Sequence, residues 1–179
     1  IKRQNDIFKI ERLLNTKGKF NLTKIKKITS LLRFEVKNFN YVNATADLNT
    51  KINLELHKKL KIRNLSYSTE GNISSLRIKT NKKKIIEEYL PDYDPNINIK
   101  DAKIKITNSK KIQTLDLEGF IKINDNYDKF KVNEKYNYDK KYFDIDGYFD
   151  LTNSKVEFNQ LNYIKNNGIK SKLEFKTNF

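Results

Sequence analysis

Apolar and polar side chains alternate with a period of two residues through most of this 179-residue chain. One segment places Leu115, Leu117, Ile121 and Ile123 in one phase and mostly charged residues in the other. Successive side chains of a β-strand point to opposite faces, so each such segment makes one apolar and one polar surface. Parallel strands covered by helices read instead as unbroken apolar runs. The alternation therefore predicts an antiparallel sheet with one apolar face.

The alternation recurs in several segments, which are separated by short polar breaks rich in Asn, Asp and Gly. The further alternating segments cover residues 52–56, 102–106, 130–138, 143–151 and 169–179. The breaks lie at 69–72, 107–110, 124–126, 152–154 and 166–168. Asn, Asp and Gly tolerate the left-handed backbone angles that tight turns need. We therefore expect a meander of hairpins.

Two segments have helical spacing instead. Thr23–Leu32 carries apolar residues on one helical face behind Asn21 or Thr23 as a possible N-cap. Lys82–Leu90 predicts a short helix that ends before Pro91. Neither helix is large enough to cover a sheet of many strands, so we expect a mainly β fold. We predict a long, curved antiparallel sheet, a meander of hairpins forming an open groove, with one or two short helices.

We expect residues 1–179 to form one β-groove segment, with a strand and capping helix in 1–33 and repeated hairpins in 34–179. Residues 115–123 resemble residues 143–151 position by position in class, 28 residues apart from Gly119 to Gly147. This echo favours a repeating sheet. The chain begins at Ile1 and contains no Met, so we expect a piece of a larger protein. A signal peptide or membrane anchor would then lie upstream.

Composition argues against most catalytic and metal sites. There is no Cys, and His57 is the single histidine, so thiolate sites and histidine clusters are excluded. Asp139, Asp144, Asp146 and Asp150 lie close together, but three of them share the polar phase of one strand, where carboxylates are solvated. Acid–base catalysis requires a pocket that perturbs pKa values, and nothing in the sequence builds one. We expect no enzyme activity, no cofactor and no metal.

The chain has 37 Lys+Arg against 22 Asp+Glu, a formal net charge of +15. The lysines are interleaved along the strands and form no single block, so most of them are interpreted as solvated surface. Codons rich in A and T also favour Lys, Asn and Ile. No RNA-binding motif accompanies the basic runs, and we expect no nucleic-acid partner.

An apolar sheet face must be covered, either by a second sheet or by something other than this chain. A curled, open sheet would leave a long apolar groove, and large exposed apolar surfaces mark binding sites. Acyl chains suit such a groove because each buried CH2 contributes about 0.8 kcal/mol and needs no directional contact. The alternative is a structural or adhesive β-sandwich of the cell envelope, in which two sheets cover each other and leave no groove.

The hairpins, the passage Ile85–Tyr93 (IIEEYLPDY) and the glycine-containing strands around Gly119 and Gly147 resemble the central region of AsmA-like proteins. Within that family the chain is most similar to the YhdP branch, which is allied to TamB. Residues 48–56, 60–67 and 71–78 share the family's succession of strand, turn and strand. The resemblance covers the chain from about residue 34 onward.

This resemblance implies a large envelope protein of a Gram-negative bacterium, anchored in the inner membrane by an N-terminal helix. Its β-groove would span the periplasm and shield phospholipid acyl chains on their way to the outer membrane. The family contributes no catalytic residue, only apolar positions along the groove. The groove-lining residues expected here are Leu115, Leu117, Ile121, Ile123, Phe130, Val132, Phe143, Ile145, Phe149, Leu151, Val156, Phe158, Leu173 and Phe175.

Overall fold

The computed structural model describes residues 2–4, 7–31, 41–57, 61–79, 94–123 and 126–179. Strands dominate this part of the chain. They are β1 (Lys2–Gln4), β2 (Ile7–Asn21), β3 (Tyr41–His57), β4 (Ile62–Lys79), β5 (Asn96–Asn108), β6 (Ile112–Lys122), β7 (Tyr127–Asn137), β8 (Tyr142–Asp150), β9 (Val156–Phe158), β10 (Tyr163–Lys165) and β11 (Lys172–Asn178). One α-helix, α1 (Leu22–Leu31), and a 3-10 turn at Asn159–Leu161 complete the described elements.

Nine of these strands form one sheet in the order β1-β2-β3-β4-β5-β6-β7-β8-β11, and β9 pairs only with β10. Every paired neighbour is antiparallel. In the described residues β1 and β11 are the two edges of the sheet and do not pair with each other. The predicted fold class is therefore confirmed: a mainly β chain with one large, open antiparallel meander.

The strand register brings the alternating segments into phase. Leu48 lies opposite Gly71, Gly71 opposite Ile104, and Ile104 opposite Leu117. The same cross-strand row continues through Val132 and Gly147 to Phe175. Because side chains alternate along each strand, every second residue on either side of this row points the same way. We call the surface that contains this row the apolar face and the opposite surface the polar face.

The two ends of the strands differ in what connects them. At one end, which we call the helix end, lie α1 and the β9–β10 hairpin. At the other end, the turn end, short turns join β5 to β6 through residues 109–111 and β7 to β8 through residues 138–141. The long connections therefore gather at one end of the strands.

Burial is concentrated toward the helix end of the apolar face. A buried cluster there contains Ala46, Ile73, Ile99, Ala102 and Phe130. Apolar residues of neighbouring rows, such as Leu48, Leu117 and Val132, pack against this cluster but remain only partly buried. The apolar face is thus most deeply buried near the helix end, and most of its residues further along the strands, apart from the buried Tyr67 and Thr69, are only partly buried.

The helix predicted at Thr23–Leu32 is confirmed, since α1 covers Leu22–Leu31. Of the two candidate N-caps the structure uses Asn21, whose side-chain oxygen accepts the backbone N–H of Lys24 at 3.0 Å. That is the N3 position, where a capping side chain satisfies an otherwise unpaired donor. The predicted helix at Lys82–Leu90 lies outside the described residues.

The turn predicted at residues 69–72 is wrong, because β4 runs through them without interruption. Gly71 is needed there for a different reason. A Cβ added to its nearly extended backbone would lie 2.1 Å from the carbonyl oxygen of Asp47 on β3. The glycine therefore permits a close approach of two strands. The breaks predicted at 107–110, 152–154 and 166–168 do separate strands, and the break at 124–126 falls largely outside the described residues.

A β-bulge on β5 accounts for Gly119. Lys100 pairs with Phe120 and Lys103 with Glu118, so Asp101 and Ala102 together face the single residue Gly119. Asp101 takes a left-handed backbone angle with φ +48, a region that aspartate tolerates better than most residues. A Cβ on Gly119 would lie 2.6 Å from the Cβ of Ala102, which is 1% exposed.

A buried lysine joins the β9–β10 hairpin to the sheet. Lys165 is 2% exposed, and its ammonium nitrogen donates to backbone carbonyls from the two flanking loops. The acceptor oxygens belong to Leu151 at 2.6 Å, Ile169 at 3.1 Å, Asn166 at 3.2 Å and Thr152 at 3.3 Å. A buried ammonium is tolerated when hydrogen bonds replace its water. Lys165 is therefore a structural group.

Gly119→Ala is expected to destabilise the fold by about 1–3 kcal/mol, because the new methyl group overlaps a residue held by the bulge. Ser75→Ala, at an exposed strand position, is the control and should change little. The free energies of unfolding in urea provide the measurement. Equal stability of the two variants would contradict the proposed crowding at Ala102.

Lys165→Met is expected to cost about 3 kcal/mol, because one buried and three partly buried carbonyl contacts lose a charged donor. The matched control is Lys170→Met in the loop that follows β10, where the side chain is exposed. Thermal and urea unfolding of both variants measure the difference. A loss confined to the hairpin should also appear as faster amide exchange in residues 151–169, and unchanged exchange there would refute the structural role.

Candidate functional site

The apolar face is the candidate site, because it is continuous and carries few charges. Among residues in register on this face of β2–β8 and β11, three are charged: Arg12, Asp128 and Glu134. Arg12 lies on β2 near the edge of the sheet. Asp128 is 3% exposed and its carboxylate accepts hydrogen bonds from Asn153 and Ser154. The remaining surface consists mostly of aliphatic and aromatic side chains, together with glycines and uncharged polar residues such as Thr50, Thr69 and Gln113.

Ten of the predicted groove-lining residues lie together on this face. They are Leu115, Leu117 and Ile121 on β6, Phe130 and Val132 on β7, Phe143, Ile145 and Phe149 on β8, and Leu173 and Phe175 on β11. Ile123 and Leu151 continue the phase just beyond the ends of β6 and β8. Val156 and Phe158 belong to β9 in the separate hairpin and not to the large sheet.

These residues differ in how much of them a ligand could reach. Phe130, Leu151 and Val156 are 3%, 7% and 7% exposed, so they belong to the protein core near the helix end. Leu173, on the edge strand, is 51% exposed. The other predicted residues are partly buried. Surface available to a ligand therefore lies toward the turn end and along β11.

An aromatic ladder crosses three strands of the apolar face. The ring centroids of Phe130 and Phe149 are 6.2 Å apart, and those of Phe149 and Phe175 are 5.6 Å apart, with both pairs stacked. Gly147 lies opposite Phe175, whose ring tip would be 3.0 Å from a Cβ at that position. The same Cβ would lie 2.1 Å from the carbonyl oxygen of Lys131 on β7, so the glycine permits a close approach of the neighbouring strand and also leaves room for the ring.

Sequence reasoning missed a hydrogen-bonded tyrosine cluster at the turn end. The hydroxyl of Tyr138 lies 3.0 Å from Oδ1 of Asn108 and 2.7 Å from Oε1 of Gln113. The Tyr138 ring packs edge-on against Tyr136, with centroids 5.0 Å apart. Burial raises the pKa of Tyr67 and of Tyr138 above the ordinary value for tyrosine, and each hydroxyl has a second tyrosine nearby. The alternation placed Tyr136 and Tyr138 among apolar residues but did not indicate this polar role.

Glu134 was also missed, although its phase in β7 places it on the apolar face. Its register partners are Leu115 on β6 and Ile145 on β8. Burial among these neighbours raises the pKa of its carboxyl above the ordinary value of 4.5. No cation or hydrogen-bond donor of the described residues bonds to this carboxylate. Among the residues that the structure describes, Glu134 is thus the one carboxylate of the accessible apolar surface.

The carboxylates singled out in the sequence serve local structure. Asp146 accepts a hydrogen bond from Asn133 at 2.8 Å, and Asp150 accepts from the backbone N–H and hydroxyl of Thr152. Asp139 lies 4.0 Å from Lys111. Within the described ranges no group of three or more His, Asp or Glu side chains is arranged to hold a metal ion. His57 is exposed at the end of β3.

The polar face carries an open depression of about 630 Å³ across the middle strands. Its charged lining consists of Lys103, Lys105, Lys131, Glu70, Asp116 and Glu118. Three lysines and three carboxylates balance, so the depression has no electrostatic preference for an anion or a cation. We therefore assign no chemistry to it.

Comparison of the chain with protein-family models, with curated proteins and with solved structures gave no match. The resemblance to AsmA-like proteins therefore stays a prediction. No helix among the described residues is both long enough and apolar enough to cross a membrane.

Glu134→Gln is expected to remove a pH-dependent weakness of the fold. The folded state raises the Glu134 pKa, so the folded protein binds this proton more tightly than the unfolded chain does. At low pH the carboxyl is protonated in both states and does not weaken the fold. As the pH rises from about 4.5 through the raised pKa, the unfolded chain loses the proton first, so the free energy of unfolding of the parent declines. The variant should therefore be more stable than the parent at pH 8, and the difference should shrink at pH 4.

Urea unfolding of both proteins across this pH range measures the difference. Glu118→Gln, on the polar face of the adjacent strand, is the control and should follow the parent protein. A Glu134→Gln curve parallel to that of the parent at every pH would show that the carboxyl is not desolvated.

Proposed function

We propose that this chain is a segment of a non-enzymatic lipid-transfer protein whose apolar sheet face shields phospholipid acyl chains. The observation that carries the proposal is the continuity of the apolar face. The row from Leu48 to Phe175 crosses seven paired strands, from β3 to β8 and on to β11, without a charged residue. A chain of CH2 groups needs only such a surface, since its burial is favourable in any orientation.

The alternative of an adhesive β-sandwich requires a second sheet over the apolar face. The described residues instead form a single nine-stranded sheet and one two-stranded hairpin. The hairpin packs near the helix end, through Lys165 and the loop that follows β8. The partly buried apolar rows toward the turn end therefore favour the lipid-shielding function over the sandwich.

The compartment follows from the same proposal. We infer a location in the periplasm, with the full-length protein anchored in the inner membrane and phospholipid passing between the inner and outer membranes. This inference rests on the resemblance to AsmA-like proteins and on the function proposed for the apolar face. The partner proposed for the face itself is the acyl chain, with no nucleic acid and no cofactor involved.

Site-specific crosslinking tests which face meets lipid. The photoreactive residue p-benzoylphenylalanine is placed at Phe143 or Phe149 on the apolar face, and as matched controls at Tyr142 or Tyr148 on the polar face of the same strand. Each pair is adjacent in sequence, aromatic and close in size. After incubation with vesicles of phosphatidylethanolamine and phosphatidylglycerol, lipid adducts should form from the phenylalanine positions and not from the tyrosine positions.

Mass spectrometry of the crosslinked protein measures the adducts, and circular dichroism verifies that each variant is folded. Equal labelling from both faces would indicate non-specific adsorption. Absence of adducts from folded variants at Phe143 and Phe149 would overturn the lipid-shielding function.

A further inference from the structure

We propose that the two lysine-bearing turns at the turn end, residues 109–111 and 138–141, bind the phosphate head group of a lipid whose acyl chain lies on the apolar face. This inference rests on the function proposed above and adds the position and chemistry of the head-group site. The site combines four side chains, Lys110, Lys111, Lys140 and Lys141, all of which are exposed.

The two turns are hydrogen-bonded to each other and within themselves. The backbone N–H of Tyr138 donates to the carbonyl oxygen of Lys111 at 2.8 Å, which joins them directly. In the first turn the Ser109 hydroxyl accepts the N–H of Ile112 at 3.1 Å. In the second, Oδ1 of Asn137 accepts the N–H groups of Asp139 and Lys140, both at 3.1 Å. The lysines are therefore carried by turns whose backbones are hydrogen-bonded.

The two lysine-bearing turns form the rim of the sheet at the turn end, and the charge of this rim is unbalanced. The residues of the two turns include four lysines and one carboxylate, Asp139, whose oxygen lies 4.0 Å from the ammonium nitrogen of Lys111. No ion pair of the described residues involves Lys110, Lys140 or Lys141. A group carrying negative charge, such as a phosphate, would complement this cluster. The balanced depression on the polar face offers no such preference.

The chemistry changes in an ordered way from the rim toward the middle of the strands. Next to the lysine turns lies the row of Asn108, Gln113 and Tyr136. The hydroxyl of Tyr138 is hydrogen-bonded to the Asn108 and Gln113 side chains of this row. One row further in, roughly 7 Å along the strand, are Ile106, Leu115 and Ile145, with the carboxylate of Glu134 between the last two. Lysine, then tyrosine, then aliphatic side chains is the order found where proteins cross from water into a membrane.

The two ends of the apolar face differ in how much surface a ligand could reach, and this difference places the ligand at the turn end. At the helix end Val42, Ala44 and Ile99 are at most 8% exposed, so the apolar face is covered there. At the turn end Tyr67 is buried, but Tyr138 is 41% exposed, and Ile106, Leu115 and Ile145 are partly accessible. The carboxylate Glu134 lies in the row that contains Leu115, where the acyl chain and not the head group would pass.

The test compares ligands that share either the chain or the head group. Binding to the 179-residue protein is measured below the critical micelle concentration by displacement of the neutral dye N-phenyl-1-naphthylamine. The ligands are palmitoyl-lysophosphatidylglycerol, monopalmitoylglycerol with the same chain and no phosphate, and glycerol 3-phosphate with no chain. The parent protein should bind the lysophospholipid on the order of tenfold more tightly than the monoacylglycerol, and glycerol 3-phosphate should displace no dye.

The variant replaces Lys110, Lys111, Lys140 and Lys141 with Gln. A matched control replaces Lys103, Lys105, Lys170 and Lys176, four exposed lysines away from the turns, and so loses the same net charge. The turn variant should lose the tenfold preference and keep its affinity for monopalmitoylglycerol. The control should keep both affinities, and thermal unfolding verifies that both proteins are folded.

Each contrary result has a distinct meaning. Equal loss in the two variants would overturn the site in favour of net charge alone, and binding of glycerol 3-phosphate to the parent at similar affinity would assign the lysines to free phosphate. Displacement of the lysophospholipid by a single-stranded oligonucleotide, lost in the turn variant, would assign them to nucleic acid. If the dye and monopalmitoylglycerol bind but the turn variant behaves as the parent, the head-group site fails alone. If neither binds, the proposed function fails with it.

Discussion

Strand register is the constraint on which the rest of this molecule depends. Eight strands place apolar residues in alternate positions, but those residues make one surface only because the paired strands are in phase. A shift of one residue anywhere would move a strand's apolar side chains to the polar face. The structure secures the phase at crowded points, where Gly71 lies against Asp47 and Gly119 against Ala102. The β5 bulge at Asp101 keeps the alternation in phase across an extra residue.

The single apolar face must be shielded from water, and the described residues bury it most deeply near the helix end. Near the helix end a core of small and large residues is buried. The hydrogen bonds from Lys165 to backbone carbonyl oxygens attach a two-stranded hairpin there. Toward the turn end the same face continues with partly accessible side chains and finishes at a tyrosine cluster and two lysine turns. This gradient from core to accessible surface to charged rim suits a long amphiphile better than a compact polar substrate.

Charges on the two faces have different consequences. On the polar face, lysines and carboxylates alternate in solvent, and pairs such as Lys51–Glu11 contribute little to stability. On the apolar face, the carboxylates differ in whether hydrogen bonds offset their burial. Asp128 has three donors from the loop after β8, whereas Glu134 has no bonding partner among the described residues and a pKa raised by burial. The cost of desolvation explains why so few charges occupy this face.

The amino-acid sequence by itself determined the mainly β fold, the antiparallel meander, helix α1, and the common face of residues such as Leu117, Val132 and Phe149, because alternation and capping are local signals. It misplaced a turn at Gly71, since a glycine required by a neighbouring strand reads like a turn residue. Only the tertiary structure decided which of the predicted residues are buried, as Phe130 and Val156 are, and which remain accessible. It also brought Tyr138 to Asn108 and Lys165 to Leu151, because contacts between residues distant in sequence depend on strand pairing, which no local pattern encodes.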